Sequence, residues 1–104
     1  MRGEVFAAAG IFLAATGAAS ADTITVEIAK LAFVPAQVTA HVGDTIVWKN
    51  EDFITHTATA RNHEWDVTIP AHTTGRAVLS KPEVIDYFCR IHPNMRGRIT
   101  VEEK

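Results

Sequence analysis

The chain holds a single cysteine among its 104 residues, and that scarcity excludes a good deal. One thiol cannot close an internal disulfide, and a structural zinc site wants more Cys or His than is concentrated here. There is no run of lysine or arginine, and a net charge of −2 gives too weak a field to argue for nucleic acid or for strong attraction to a membrane surface. No apolar run reaches the roughly 20 residues that span a bilayer. Helical periodicity is missing, as are repeats and low-complexity tracts. No nucleophile stands with a base partner, and neither a glycine-rich phosphate cradle nor a basic–aromatic stripe is present. What remains is an ordinary globular composition, 47% hydrophobic with both signs of charge, so that function has to reside in a site.

The first residues read as an export signal. Arg2 supplies a short positive region, Val5 to Ala15 an apolar run of signal length, and Ala19-Ser20-Ala21 a small-residue cleavage motif. Residues 1–21 are therefore expected to be a signal peptide and 22–104 the mature domain, with no membrane attachment once processed. In an oxidising compartment a lone exposed thiol is a liability, which is easier to understand if Cys89 is buried or metal-bound.

Alternation dominates the mature chain. Ile24, Val26 and Ile28 point one way and Thr23, Thr25 and Glu27 the other, the period-two pattern of a half-buried strand. Leu31 to Val34 is a short run stopped by Pro35, which suits an edge or bend. Further strands are expected over 38–42, 45–50, 55–60, 65–69, 76–80, 84–89 and 98–102, with Gly43-Asp44 as a turn, residues 51–54 as a loop and 71–75 as another. Short strands broken by frequent turn signals argue for an all-β sandwich or barrel. Tyr87, two residues before Cys89, fits either the tyrosine corner of a Greek-key sandwich or a half-buried strand tyrosine. Trp48 reads as core.

The stretch Cys89-Arg90-Ile91-His92-Pro93-Asn94-Met95 carries the chemistry. A thiolate, an imidazole and a thioether are donors that together favour copper over harder divalent ions. His92-Pro93-Asn94-Met95 suits a tight turn that folds Met95 back toward the cysteine. A fourth donor must come from elsewhere, and His56, at a loop before another strand, is the best candidate. His41, His63 and His72 read as solvated surface histidines, and Asp52, Glu64 and Asp66 as scattered carboxylates.

Val42-Gly43-Asp44, Trp48-Lys49-Asn50, His56, Trp65-Asp66 and Asp86 through Gly97 resemble the cupredoxins, the type 1 blue copper proteins. Two residues between Cys89 and His92, and two between His92 and Met95, make a short loop similar to that of the amicyanins rather than the longer loops of plastocyanin, pseudoazurin or azurin. The resemblance implies a Greek-key β-sandwich of about eight strands with one copper ion near one end. It implies His56, Cys89 and His92 as strong equatorial ligands and Met95 as the weak axial one. It also implies a periplasmic, monomeric, non-enzymatic carrier that passes single electrons, as Cu(II)/Cu(I), between transient redox partners such as a c-type cytochrome or an amine dehydrogenase. A copper storage or delivery module is the alternative. Three positions depart from the pattern: Thr57 stands where the family often has Asn or Ser tying the ligand loops together, Ile91 where the amicyanin loop has proline, and Asn94 where it has a bulky apolar residue.

Overall fold

A computed structural model of the chain describes residues 20–104, whose secondary structure is entirely β. The expected signal segment falls largely on residues 1–19, outside the described residues. The strands are β1 (Thr23–Ala29), β2 (Ala32–Val34), β3 (Gln37–His41), β4 (Thr45–Asn50), β5 (His56–Ala60), β6 (Asp66–Ile69), β7 (Thr74–Val78), β8 (Glu83–Phe88) and β9 (Arg96–Glu102). They form two sheets, in the orders β2-β1-β4-β7 and β3-β9-β8-β5-β6. The chain crosses repeatedly between the sheets, and β1 with β4 and β3 with β9 run parallel. This is the expected all-β sandwich, with β2 at a sheet edge as Pro35 requires.

Period-two burial builds the core. Val26 and Ile28 of β1 and Ile46 and Trp48 of β4 meet Ala58, Ala60, Ile85, Tyr87, Ile99 and Val101 of the facing sheet, all nearly or fully buried. Trp48 lies 5.1 Å from Trp65 and 5.5 Å from Tyr87, ring centre to ring centre. Its indole N–H donates to the Tyr87 hydroxyl at 3.2 Å. Tyr87 is thus neither half-buried nor bonded as a tyrosine corner; its partner is a side chain across the sandwich. Burial pushes its phenol up to about 12, against the opposing effect of the Trp48 hydrogen bond. The ring lies over Gly97, where a Cβ would collide with it.

Two strands begin two residues upstream of expectation; β9 starts at Arg96 because Arg96 and Gly97 pair with Phe88 and Tyr87 of β8. β7 begins at Thr74, inside the expected loop, because Thr74 and Gly75 pair with Lys49 and Trp48 of β4. A Cβ at Gly75 would lie 2.6 Å from Val67 Cγ1 and 2.9 Å from Ile69 Cγ1, so glycine is what lets β6 approach so closely. Local propensity marks glycine as a break; here the break in side-chain volume is a packing requirement.

Asp44 is buried in the turn before β4 and accepts from the backbone N–H of Asp22 at 2.8 Å and of His41 at 2.9 Å. The Asp22 hydrogen bond, outweighing desolvation and aided by His41 N–H and the Lys104 charge, holds its carboxyl below the ordinary 3.8. A carboxylate held below its unfolded value contributes stability that is fully present above pH 3.8 and is lost as pH falls through the folded value. Asp44→Asn is therefore expected to flatten the fall in melting temperature below pH 4 relative to the unsubstituted protein, in thermal melts across that range. An equally steep acid limb in the variant would contradict this. Gly97→Ala is expected to cost about 1–3 kcal/mol in denaturant titration, because the Tyr87 ring must shift. A loss below about 0.5 kcal/mol would show that the ring has room to move.

Candidate metal centre

Cys89 directly follows β8 and Met95 directly precedes β9, so paired strands hold both ends of the loop between them. Within it the Met95 N–H donates to the His92 carbonyl at 2.8 Å, closing the expected turn over His92–Met95. The Cys89 N–H donates to the Met95 carbonyl at 3.1 Å and returns the loop's end to its start. Cys89 and Met95 are buried as a result, while Ile91, Pro93 and Asn94 face solvent with a partly exposed His92 between them. His92 and Met95 line one hollow of about 460 Å³ with Leu31, Ile91, Pro93 and Asn94.

The other half arrives on β5, whose first residue is the fully buried His56. Its Nδ1 lies 3.8 Å from Cys89 Sγ. Ligand atoms of His56, Cys89 and His92 all lie within 4.8 Å of one another. Metal–sulfur and metal–nitrogen bonds of about 2.3 and 2.0 Å at a tetrahedral angle would set sulfur and nitrogen about 3.5 Å apart, close to the His56–Cys89 spacing. His92 Nδ1 is buried without a hydrogen-bond partner. Such an orphan costs about 1–3 kcal/mol, and coordination of an ion would satisfy it. The other such atom among the described residues is Trp65 Nε1, in the aromatic cluster.

Asp52, which the sequence presents as one of several scattered carboxylates, organises this half of the site. Its Oδ2 is 2.9 Å from His56 Nε2. Burial by itself would raise the Asp52 carboxyl, but the Leu31 N–H, the His56 ring and the Lys30 N–H together bring it below its ordinary value. An ionised carboxylate only accepts, so Nε2 carries the ring hydrogen and Nδ1 turns its lone pair toward Cys89. The same carboxylate accepts from Lys30 N at 2.9 Å and Leu31 N at 3.1 Å. Those two residues form the two-residue turn between β1 and β2 with φ of 53° and 61°. A left-handed conformation costs an ordinary side chain roughly 1–2 kcal/mol, which the two hydrogen bonds to Asp52 offset.

Asn50, at the end of β4, completes the support. Buried at 2% exposure, its amide donates toward the carbonyls of Ile54, Ile69 and Pro70 while its oxygen accepts the Asp52 N–H at 2.9 Å. In the sequence Asn50 stands at a strand end and among the residues that carry the cupredoxin resemblance, with no role of its own assigned. Its polar character at a buried strand end was the available signal, but burial there is set by the sandwich.

Thr57, the departure from the family pattern, also forms a tie. Its N–H donates to Cys89 Sγ at 3.3 Å and its hydroxyl accepts the Arg90 N–H at 2.9 Å, joining the segments that carry His56 and Cys89. The remaining histidines stay apart: His41, His63 and His72 are exposed, the last two at turn positions with positive φ.

A family model described as a cupredoxin-like domain matches residues 4–101 of the chain. Amicyanin-alpha of Methylorubrum extorquens is 30% identical, with 98% of this chain and 100% of the relative aligned. Amicyanin of Paracoccus denitrificans is 31% identical over 76% of this chain and 65% of the relative. Among solved structures, an oxidised methionine-to-leucine variant of amicyanin superposes with a TM-score of 0.70 at 26% identity, covering 76% of this chain and 81% of that one. A reduced Cu(I) form of a proline-to-glycine variant, at pH 4, gives 0.69 at 28% identity over 83% and 86%. Family match, sandwich topology and the cysteine-bearing loop agree, and the chain belongs to the cupredoxin-like family.

Proposed function

We propose that this protein is an exported, periplasmic carrier of single electrons that binds one type 1 copper ion through His56, Cys89 and His92, with Met95 as the weak axial ligand. The observation that carries the reading is the convergence of Cys89 Sγ, His56 Nδ1 and the unpartnered His92 Nδ1 at one buried point. Amicyanins, the similar proteins, include structures described as Cu(I) forms. Soft sulfur donors suit Cu(I) and imidazoles suit Cu(II), so this donor set accommodates both oxidation states. Bound there, copper supplies a one-electron couple.

The chain's own residues do the rest. Asp52 fixes the His56 tautomer, the two backbone bonds inside the loop hold Cys89 and Met95 in place, and burial keeps water from the sulfur. His92 is the ligand nearest solvent, and Leu31 and Ile91 beside it are each 50% exposed. A small apolar face of this kind suits transient docking, which buries less than about 1,200 Å². A c-type cytochrome as acceptor and an amine dehydrogenase as donor fit the amicyanin resemblance, with Asn94 making the face more polar at one point. The Thr57 tie favours carriage over copper storage or delivery, because it fixes the cysteine loop to β5 where a delivery site is looser.

Voltammetry of the copper-loaded protein is expected to show a reversible one-electron couple; rapid loss of copper to a chelator without such a couple would point to delivery instead. Cys89→Ala is expected to abolish the site, whereas Met95→Leu keeps copper and shifts the potential; equal copper loss in both would contradict the axial assignment. Asp52→Ala is expected to lower copper affinity about 10–100-fold in chelator competition, as loss of a ligand's hydrogen-bonded support does. Unchanged affinity would show that His56 needs no such support.

A further inference from the structure

The bond between Thr57 and Arg90 is one link of a closed ring. The Arg90 backbone N–H donates to Thr57 Oγ1 at 2.9 Å, Thr57 Oγ1 lies 2.9 Å from Thr59 Oγ1, Thr59 Oγ1 donates to Asp66 Oδ1 at 2.7 Å, and the Arg90 side-chain Nε donates to that same oxygen at 3.1 Å. Each hydroxyl has one proton to give. The Thr59 hydrogen bond, with that of Arg90, holds the Asp66 carboxyl below its ordinary value, so Asp66 only accepts. Thr59 spends its proton on Asp66, Thr57 must then donate to Thr59, and the free lone pair of Thr57 receives the Arg90 N–H. The carboxylate sets the direction of both hydroxyl links, and the Arg90 N–H groups can only donate.

The ring replaces a missing piece of sheet. β5 and β8 pair only through Thr59–Phe88 and Ala60–Tyr87, and the ladder stops short of His56 and Cys89. Beyond that point the backbone of the cysteine loop is held to β5 by the Thr57 hydroxyl and by the Thr57 N–H on Cys89 Sγ. Thr57 and Thr59 face away from the apolar core yet are buried, at 1% and 9% exposure, while Arg90 and Asp66 side chains are 47% and 51% exposed. Solvent screens that outer ion pair, so the buried hydroxyls are the links that matter.

We propose that Thr59 and Asp66 are positioning residues for the Cys89 thiolate, acting through Thr57 and the Arg90 amide rather than touching the sulfur. The proposal rests on the copper reading above for its consequence at the metal, but the ring itself is testable without metal.

The test is amide hydrogen exchange, followed by NMR, on metal-free protein carrying Thr59→Val, Thr59→Ser, Asp66→Ala or Asp66→Asn. Valine keeps the volume and removes the link, so exchange at Arg90 and Thr57 is expected to rise about tenfold, the effect of losing a buried hydrogen bond, while the β3–β9 amides keep their protection. Serine restores the hydroxyl and protection with it. Asp66→Ala behaves as valine does, and Asp66→Asn, which can still accept from Thr59, behaves as serine does. In copper-loaded protein the thiolate-to-copper band shifts in Thr59→Val and returns in Thr59→Ser. Unchanged exchange in Thr59→Val, no rescue by serine, or a rise spread evenly over all strands would overturn the proposal. If the exchange pattern appears as expected but the unsubstituted protein takes up no copper, the ring stands and the copper reading fails.

Discussion

The N–H of Thr57 points at the sulfur of Cys89, 3.3 Å away, at the place where β5 and β8 cease to pair. Had the ladder continued, backbone hydrogen bonds would have drawn the two strands together at ordinary sheet spacing and left no room for convergent donors. Because it stops, His56 and Cys89 sit at the splayed end of two neighbouring strands, each rigid on its own side. Side-chain hydrogen bonds then set the gap. A protein that exchanges electrons with little rearrangement needs this combination, donors close enough to share an ion but anchored to separate, well-packed elements.

Strain is accepted at the same end of the sandwich. Lys30 and Leu31 take left-handed conformations that Gly or Asn would adopt more cheaply. Asp52 compensates by accepting both amides, and its remaining interaction orients His56. One carboxylate thus links a turn in the first sheet to a donor in the second, and places Leu31 beside the His92 surface. Asn50 holds the loop that carries Asp52. The placement of His56 on the β5 side is inherited, step by step, from a buried amide at the end of β4.

Much of this architecture could be read in advance, and the reason is locality. Alternation in 23–28 and 45–50 follows from one buried face, and Cys89, His92 and Met95 are legible because a single turn brings them together. His56 was harder, found by asking which donor the loop lacked. The illegible parts depend on distant partners. Nothing near Lys30-Leu31 signals a turn, because the group that stabilises it is Asp52. Thr57 and Thr59 alternate with core residues, and nothing beside them in the chain shows that the cysteine loop and Asp66 cover them. β7 was placed two residues late because Gly75 looked like a loop when it was clearing space for Val67 and Ile69. Propensity describes a residue's neighbours along the chain, whereas these positions answer to neighbours across the sandwich.

The function proposed for this protein depends on the Cys89 thiolate and two imidazoles binding one copper in a constrained, strongly covalent site. The most direct measurement is the optical and paramagnetic-resonance spectrum of the protein after addition of Cu(II). An intense blue thiolate-to-copper charge-transfer band is expected, together with the narrow copper hyperfine splitting of a type 1 centre. A pale solution with the wide splitting of an ordinary tetragonal Cu(II) complex would contradict it.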